Sequence, residues 1–333
     1  MLLSVVILSY NRPDQIRRIL DNFVGVEQND FNIIIKDDMS PKIDDIKEIY
    51  NAYKDQISVD VIFHKNNENM GYDRNLLDAF TINDAEYIFL LSDDDYVAGC
   101  EINNLIAAIY EKKLKIYFTP YTDHSIDVVN RTFDYSYKEH VALSEFPEII
   151  YNSILFSGLI FHRKTVLQLS LDREFLSNCI YTQVYLAVSL IYKTRSYGAI
   201  PSGVLHLGGD GENYFGKNSS AKNSDILSDR NKISSNLNYQ KFLLAVVTKL
   251  SLSTEPMINK LFLKEYKKRL ISYGLRARSY GLSIYFDFIR AYLNSRLPFF
   301  IVPSFLFVFV TFLPSKISGK INSIAKKLLR HAG

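Results

Sequence analysis

Four short apolar runs rich in β-branched and aromatic residues, separated by helix-period segments, fill the first hundred residues of the 333-residue chain and restrict it to strands joined by helical crossovers. Leu3 to Ser9, Phe31 to Ile35, Val59 to Phe63 and Tyr87 to Leu91 read as the strands. Between them Pro13 suits a first helical turn, with Ile16, Ile19, Leu20 and Phe23 at helical spacing. Ile46, Ile49 and Tyr53 mark a second helix, and Asn75 to Phe80 reads as a third. The expected class is therefore α/β with a mostly parallel central sheet.

Every predicted strand end delivers polar residues: Ser9-Tyr10-Asn11-Arg12, Lys36-Asp37-Asp38, the polar turn Asn66 to Tyr72, and Ser92-Asp93-Asp94-Asp95. Open α/β sheets bind ligands beyond the carboxyl ends of their strands, so acids from separate strands are expected to meet in one crevice. Three adjacent carboxylates are tolerable if solvated, partly protonated or neutralised by a cation. A hard divalent ion such as Mn²⁺ or Mg²⁺ takes oxygen ligands and leaves positions for diphosphate oxygens. The plain alternative is a solvated acidic turn or helix cap.

The four blocks Ser4 to Arg12, Ile35 to Ser40, Asn69 to Asn75 and Leu91 to Tyr96 resemble the family-2 glycosyltransferases of the GT-A fold, in order and spacing. Members that build bacterial surface polysaccharides, including the abequosyltransferase-like ones, are the most similar. The resemblance implies a nucleotide-diphosphate sugar donor held by Ser9, Tyr10, Asn11, Arg12, Asp37, Asp38, Arg74, Asn75 and Asp93, with Asp94 and Asp95 on a divalent cation, Mn²⁺ or Mg²⁺. It also implies a Rossmann-like GT-A domain over 1–235, with a nucleotide-sugar half (1–118) and an acceptor half (119–235). The acidic motif usual near the start of the acceptor-side helix has no clear counterpart, since Tyr181-Thr182-Gln183 stands there. The general base is thus unassigned, with Asp172, Glu174, Asp210 and Glu212 as weak candidates and His162 and His206 in the same region.

Beyond Lys115 the pattern loosens into a strand-like Ser153 to Phe161, a helical Tyr181 to Tyr192 and the loop Leu207 to Tyr214, read as a mobile active-site loop. No Gly-Lys-Ser/Thr follows its glycines and no Gly-x-Gly-x-x-Gly follows the first strand, which argues against nucleoside triphosphatases and ordinary dinucleotide binding. Two cysteines, Cys100 and Cys179, exclude a disulfide framework and suit a reducing compartment. The apolar opening lacks a basic leader and a cleavage site, so the expected location is cytoplasmic.

The net charge of +3 conceals a division: from Ser251 onward 14 Lys/Arg face 3 Asp/Glu, while the rest holds 25 against 33. Helical periodicity covers Phe242 to Leu252, Ile258 to Ile271 and Ile284 to Leu293. Phe299 to Leu313 is uncharged and apolar but shorter than the roughly 20 residues of a spanning helix. Lys316, Lys320, Lys326, Lys327 and Arg330 then alternate with Ile317, Ile321, Ile324, Leu328 and Leu329. We read 236–333 as a helical extension whose tail, 297–333, makes a shallow or re-entrant insertion at the inner face of the plasma membrane. Lipid, not a nucleic acid polymer, is the expected partner of this basic region, which would bring the enzyme to a glycan acceptor carried on polyprenyl diphosphate. The rival readings are a membrane-anchored scaffold that keeps the fold without the chemistry, and a metal-dependent phosphotransfer domain.

Overall fold

The structure, a computed structural model, describes residues 1–27, 30–123, 128–200, 205–208, 233–294, 297 and 301–331. Its strands are β1 (Leu3–Ser9), β2 (Phe31–Asp37), β3 (Val61–Lys65), β4 (Tyr87–Ser92), β5 (Asp95–Val97), β6 (Ile116–Phe118), β7 (Tyr121–Asp123), β8 (Val128–Asn130), β9 (Tyr137–Lys138), β10 (Leu159–His162), β11 (Tyr197–Ala199) and β12 (Leu205–Leu207). Among the described residues they make two sheets, ordered β3-β2-β1-β4-β10-β6-β11-β9 and β5-β12-β7-β8. In the larger sheet only β10 and β9 run against the rest, so it is mostly parallel.

β1 and β2 are buried along their whole length. Crossover helices cover both faces of a parallel sheet, which is why these strands are continuous apolar runs without alternation. Ile16, Ile19 and Leu20 of the helix Pro13–Asp21 and Ile46 and Ile49 of Ile43–Tyr53 join Val5, Ile7, Ile33, Ile35, Phe89 and Leu91 in one apolar cluster.

Two local expectations are corrected. The third helix is Tyr72–Ala79, three residues earlier than its apolar spacing indicated, because Gly71 at φ 75° turns the chain into it. Ser153 to Phe161 is not one strand: a helix, Phe146–Asn152, runs up to its edge, and β10 begins only at Leu159. Gly158 makes that break, at φ 80° and with no room for a Cβ, which would lie 2.1 Å from Thr119 Oγ1.

The chain forms two compact units, Met1–Ala142 with Ile150–Lys222, and Leu143–Ile149 with Asn223–Gly333. The second unit carries the helices Ile233–Ser253, Pro256–Ser279, Leu282–Asn294, Ile301–Phe312 and Ser315–His331. Pro303 falls in the first turn of its helix, where its missing N–H breaks no ladder bond. Among the described residues no helix is long and apolar enough to cross a membrane.

Candidate nucleotide and metal site

β1 lies between β2 and β4, and Leu8 is in register with both Lys36 and Ser92, so the three strands end side by side. The loop leaving β1 ties their ends together. Asp38 N–H donates to Ser9 O at 3.0 Å, Asn11 N–H to Ser40 Oγ at 2.7 Å, and Tyr10 N–H to Asp93 Oδ2 at 2.8 Å. Arg12 Nη1 sits 3.1 Å from Asp93 Oδ1 and 3.0 Å from Asp94 Oδ2. Asn11 and Met39, at corresponding places after β1 and β2, both hold φ 60°. Such left-handed backbone is uncommon outside glycine and gathers at ligand-binding turns.

The two acids after β2 are engaged differently. Asp37 is fully buried and accepts from Ser40 N–H at 2.8 Å and from the Ser40 hydroxyl, closing the turn; burial raises its carboxyl above the usual range. Asp38 accepts from Asn66 Nδ2, Met70 N–H and Gly71 N–H, each at 2.8 Å. Three donors leave one of a carboxylate's roughly four lone-pair sites open, so Asp38, itself buried at 4% exposed, retains one acceptor position.

Behind Asp38 lies a polar network that sequence reasoning missed. Lys36, with no exposed surface, donates to Asn66 Oδ1 at 2.7 Å and pairs with Asp78 at 2.8 Å. Asn66 Nδ2 also donates to Asn75 Oδ1 at 2.8 Å. Asn75 therefore supports Asp38, and Arg74 is an exposed residue paired with Glu68 at 3.0 Å. A lysine at the end of an apolar strand, followed by two acids, was the available signal.

The Asp93-Asp94-Asp95 triplet fans out. Asp93 is buried against the β1 loop; burial pushes its carboxyl up to about 7, against the pull of Arg12. Asp94 accepts from Ser92 Oγ at 2.5 Å and keeps a carboxylate partly open to solvent. Asp95 opens β5 and is buried facing Ser157 and the Gly208 N–H, and desolvation followed by the Asp94 charge raises its carboxyl. Arg131, buried and itself at φ 55°, holds the turn beneath through Ser157 O at 3.0 Å and Leu155 O at 2.5 Å. Arg18 lies over the Tyr96 ring at 5.3 Å, and Tyr96 stacks on His206 at 5.0 Å, across the β5–β12 pairing.

Do these residues fit a divalent cation? Among the described residues no group of three or more Asp, Glu, His or Cys is arranged to enclose a metal. Mg²⁺ and Mn²⁺ at phosphate sites rarely need such an enclosure, taking one or two carboxylates and completing their shell with phosphate oxygens and water. The three carboxylates share the guanidinium groups of Arg12, Arg18 and Arg131, and Asp94 is the one with accessible oxygens. The orphaned Ser9 Oγ, on a residue 2% exposed, and Asn11 Oδ1 add buried acceptors or donors without a protein partner at the same strand end. The arrangement fits a cation shared with a diphosphate, with Asp94 as the ligand and Asp95 as its buried support.

Of the candidate bases, Asp172 is exposed and caps the short helix Arg173–Leu176, accepting from Phe175 N–H at 3.0 Å. Glu174 is exposed in the same turn, while Asp210 and Glu212, with the rest of 209–214, lie outside the described residues. His162 pairs in register with Tyr87, the first residue of β4, which places it at the opposite edge of the sheet from the triplet. At the start of the helix Thr182–Thr194, Gln183 accepts from Tyr72 Oη at 3.0 Å and donates to Ile154 O at 2.7 Å. The carboxylate that reaches this helix end is Asp73, accepting from Ile180 N–H at 2.7 Å and Thr182 N–H at 3.4 Å. Its helical spacing with Leu76 and Leu77 marks a buried face and was a readable sign.

Burial raises Asp73 to about 6, partly offset by the Ile180 and Thr182 donors. Its unfolded carboxyl ionises near 4, so between about pH 4 and 6 the folded chain holds the extra proton and its stability falls as pH rises, then levels off. Asp73→Asn is expected to remove on the order of 3 kcal/mol of that decline. Urea unfolding at several pH values checks it, and an unchanged slope contradicts it.

The family model described as Glycosyl transferase family 2 matches residues 4–166. Over 98 residues the chain is 26% identical to abequosyltransferase RfbV of Salmonella typhimurium, a match covering 29% of this chain and 29% of that protein, so the chain spans less than a third of this relative's length. The structure is similar to S. aureus TarS 1-349 in complex with UDP, at a TM-score of 0.55 and 13% identity, covering 79% of this chain and 70% of that one. It is also similar to mannosyltransferase PcManGT from Pyrobaculum calidifontis in complex with GDP-Man and Mn²⁺, at a TM-score of 0.52 and 11% identity, covering 98% and 86%. At these identities the structural likeness shows the fold alone.

Proposed function

We propose that this chain, whose residues 4–166 match the Glycosyl transferase family 2 model, is a family-2 glycosyltransferase of the GT-A fold that moves a sugar from a nucleotide-diphosphate donor to a glycan hydroxyl, with inversion at the transferred carbon. The observation that carries this reading is the joining of three strand ends by Tyr10, Asn11 and Arg12, which sets the acids after β2 and β4 along one edge. Asp38 offers its remaining acceptor site to an N–H of the base. The orphaned Ser9 and Asn11 atoms receive polar groups of the nucleotide, and Asp94 with Arg12 faces the diphosphate. A bound Mn²⁺ or Mg²⁺ supplies neutralisation of the charge gathering on the departing nucleoside diphosphate. Arg12, able to lean from Asp94 toward a phosphate oxygen, assists the same charge. The bond from the anomeric carbon to phosphate breaks as the acceptor oxygen bonds to that carbon, and the hydroxyl proton passes to a base.

We further infer a surface-polysaccharide pathway with a glycan on polyprenyl diphosphate as acceptor, a reading that rests on the resemblance of the four amino-terminal sequence blocks, and we place the chain in the cytoplasm at the inner face of the membrane. We take 1–235 as the catalytic part and 236–333 as the part that meets the membrane. A scaffold without chemistry is the second reading, favoured by Gln183 standing at a helix start where a carboxylate base is expected. Donor hydrolysis in Mn²⁺ separates the two. Slow release of nucleoside diphosphate without acceptor is the expected result, and none with any nucleotide sugar would leave the scaffold.

A further inference from the structure

The helices Ile301–Phe312 and Ser315–His331 carry apolar side chains on their outward faces. In Ile301–Phe312 the Phe307 ring turns inward, 5.6 Å from Phe288 and 5.7 Å from Tyr292, edge-on to both. It presses on Gly274, where a Cβ would come within 2.4 Å of the ring. The opposite stripe of the same helix is Phe305, Val308, Phe309 and Phe312, 58–80% exposed. In the next helix, Ser315–His331, the buried positions over the described stretch 315–324 are Ser318 and Asn322, the latter accepting from Ser272 Oγ at 2.8 Å. Its exposed positions include Ile317, Ile321 and Ile324, beside Lys316 and Lys320. A helix in water buries its isoleucines and exposes serine and asparagine. Small and polar residues between helices with apolar residues outside are the packing of proteins whose solvent is lipid.

We propose that these two outward faces form one docking surface for an anionic bilayer, with both helices lying in its plane and the phenylalanines and isoleucines sunk to the acyl boundary. In-plane insertion is the shallow one of the two arrangements expected from sequence, chosen because the inner face of Ile301–Phe312 is already occupied and a helix of about 18 Å is too short to cross. Charge selects the partner. Lys316 and Lys320 stand beside the exposed isoleucines, in a stretch that from Ser251 onward holds 14 basic residues to 3 acidic ones, so a second copy seated here would bring like charges together, whereas phosphatidylglycerol headgroups complement it. The inference sharpens the membrane placement proposed above and stands on the helical unit alone, whatever reaction the other unit catalyses.

The chain contains no tryptophan, so Phe309→Trp introduces a single reporter in the full-length protein. On vesicles of equal parts phosphatidylglycerol and phosphatidylcholine, its emission is expected to shift to the blue and to be quenched by brominated acyl chains. In vesicle sedimentation the triple variant F305S/F309S/F312S is expected to bind about a hundredfold more weakly at unchanged thermal stability. Lys316→Glu with Lys320→Glu is expected to weaken the preference for anionic over pure phosphatidylcholine vesicles. An unquenched F309W indole with wild-type vesicle binding would overturn the proposal. So would a chain that ignores both vesicles and forms a dimer lost in the triple variant.

Discussion

Asp94→Asn is expected to lower the proposed sugar transfer about a thousandfold, the size that follows when a group stabilising transition-state charge is removed from a preorganised site. The substitution keeps the side chain's shape and leaves the Ser92 hydroxyl a carbonyl oxygen to donate to. It removes one of the two carboxylates that Arg12 bridges, and Asp93 still holds that guanidinium at 3.1 Å. The fold therefore changes little, because Arg12 keeps a charged partner and the Asp94 side chain already meets solvent. Two readouts belong together. Initial rates of transfer or of donor hydrolysis fall, and binding of a nucleoside diphosphate, followed by calorimetry, loses its dependence on Mn²⁺. Activity within about tenfold of wild type would remove Asp94 from the chemistry.

Lys36→Met is the corresponding result for stability, with an expected loss of about 3 kcal/mol in urea unfolding. Methionine matches the lysine stem in volume, so packing is kept and the loss isolates the ammonium group. Asp78 lies partly in solvent and re-hydrates once unpaired, which holds the effect toward the lower end of a broken buried pair. Asn66 has no such recourse. It is buried, and its Oδ1 loses its donor while its Nδ2 remains between Asp38 and Asn75. Rotation of that amide loosens Asp38 and with it the Met70–Gly71 turn, so nucleotide affinity falls along with stability. Asp78→Asn, which leaves Lys36 its bond to Asn66, is expected to have the smaller effect on both. A Lys36→Met chain as stable as wild type would show that the network is ornamental.

The strands and the converging acids were legible because their causes are local. A run such as Leu3 to Ser9 has one reasonable use, and a parallel sheet delivers whatever follows each strand to the same edge. The partners of those acids were not legible. Asp93 meets Arg12 across 81 residues, and Asp73 caps a helix more than a hundred residues away, pairings that sequence periodicity does not encode. Ser157 reaches Ser92 N–H because Gly158 turns the chain and Arg131, 26 residues away, clamps it; the apolar run from Ser153 to Phe161 hides the first and cannot encode the second. In the carboxyl-terminal helices the amphipathic pattern was visible, but which face turns inward was not. Only the packing of Phe307 and Asn322 reveals that the apolar side looks out.

The most direct measurement is a crystal structure of the chain grown with a nucleoside diphosphate and Mn²⁺, with anomalous scattering recorded at the manganese edge. The predicted result is one manganese peak beside Asp94, sharing diphosphate oxygens, with the base against Asp38 and the ribose near Ser9 and Asn11. A nucleotide bound away from the ends of β1, β2 and β4, or a manganese held without Asp94, would contradict it.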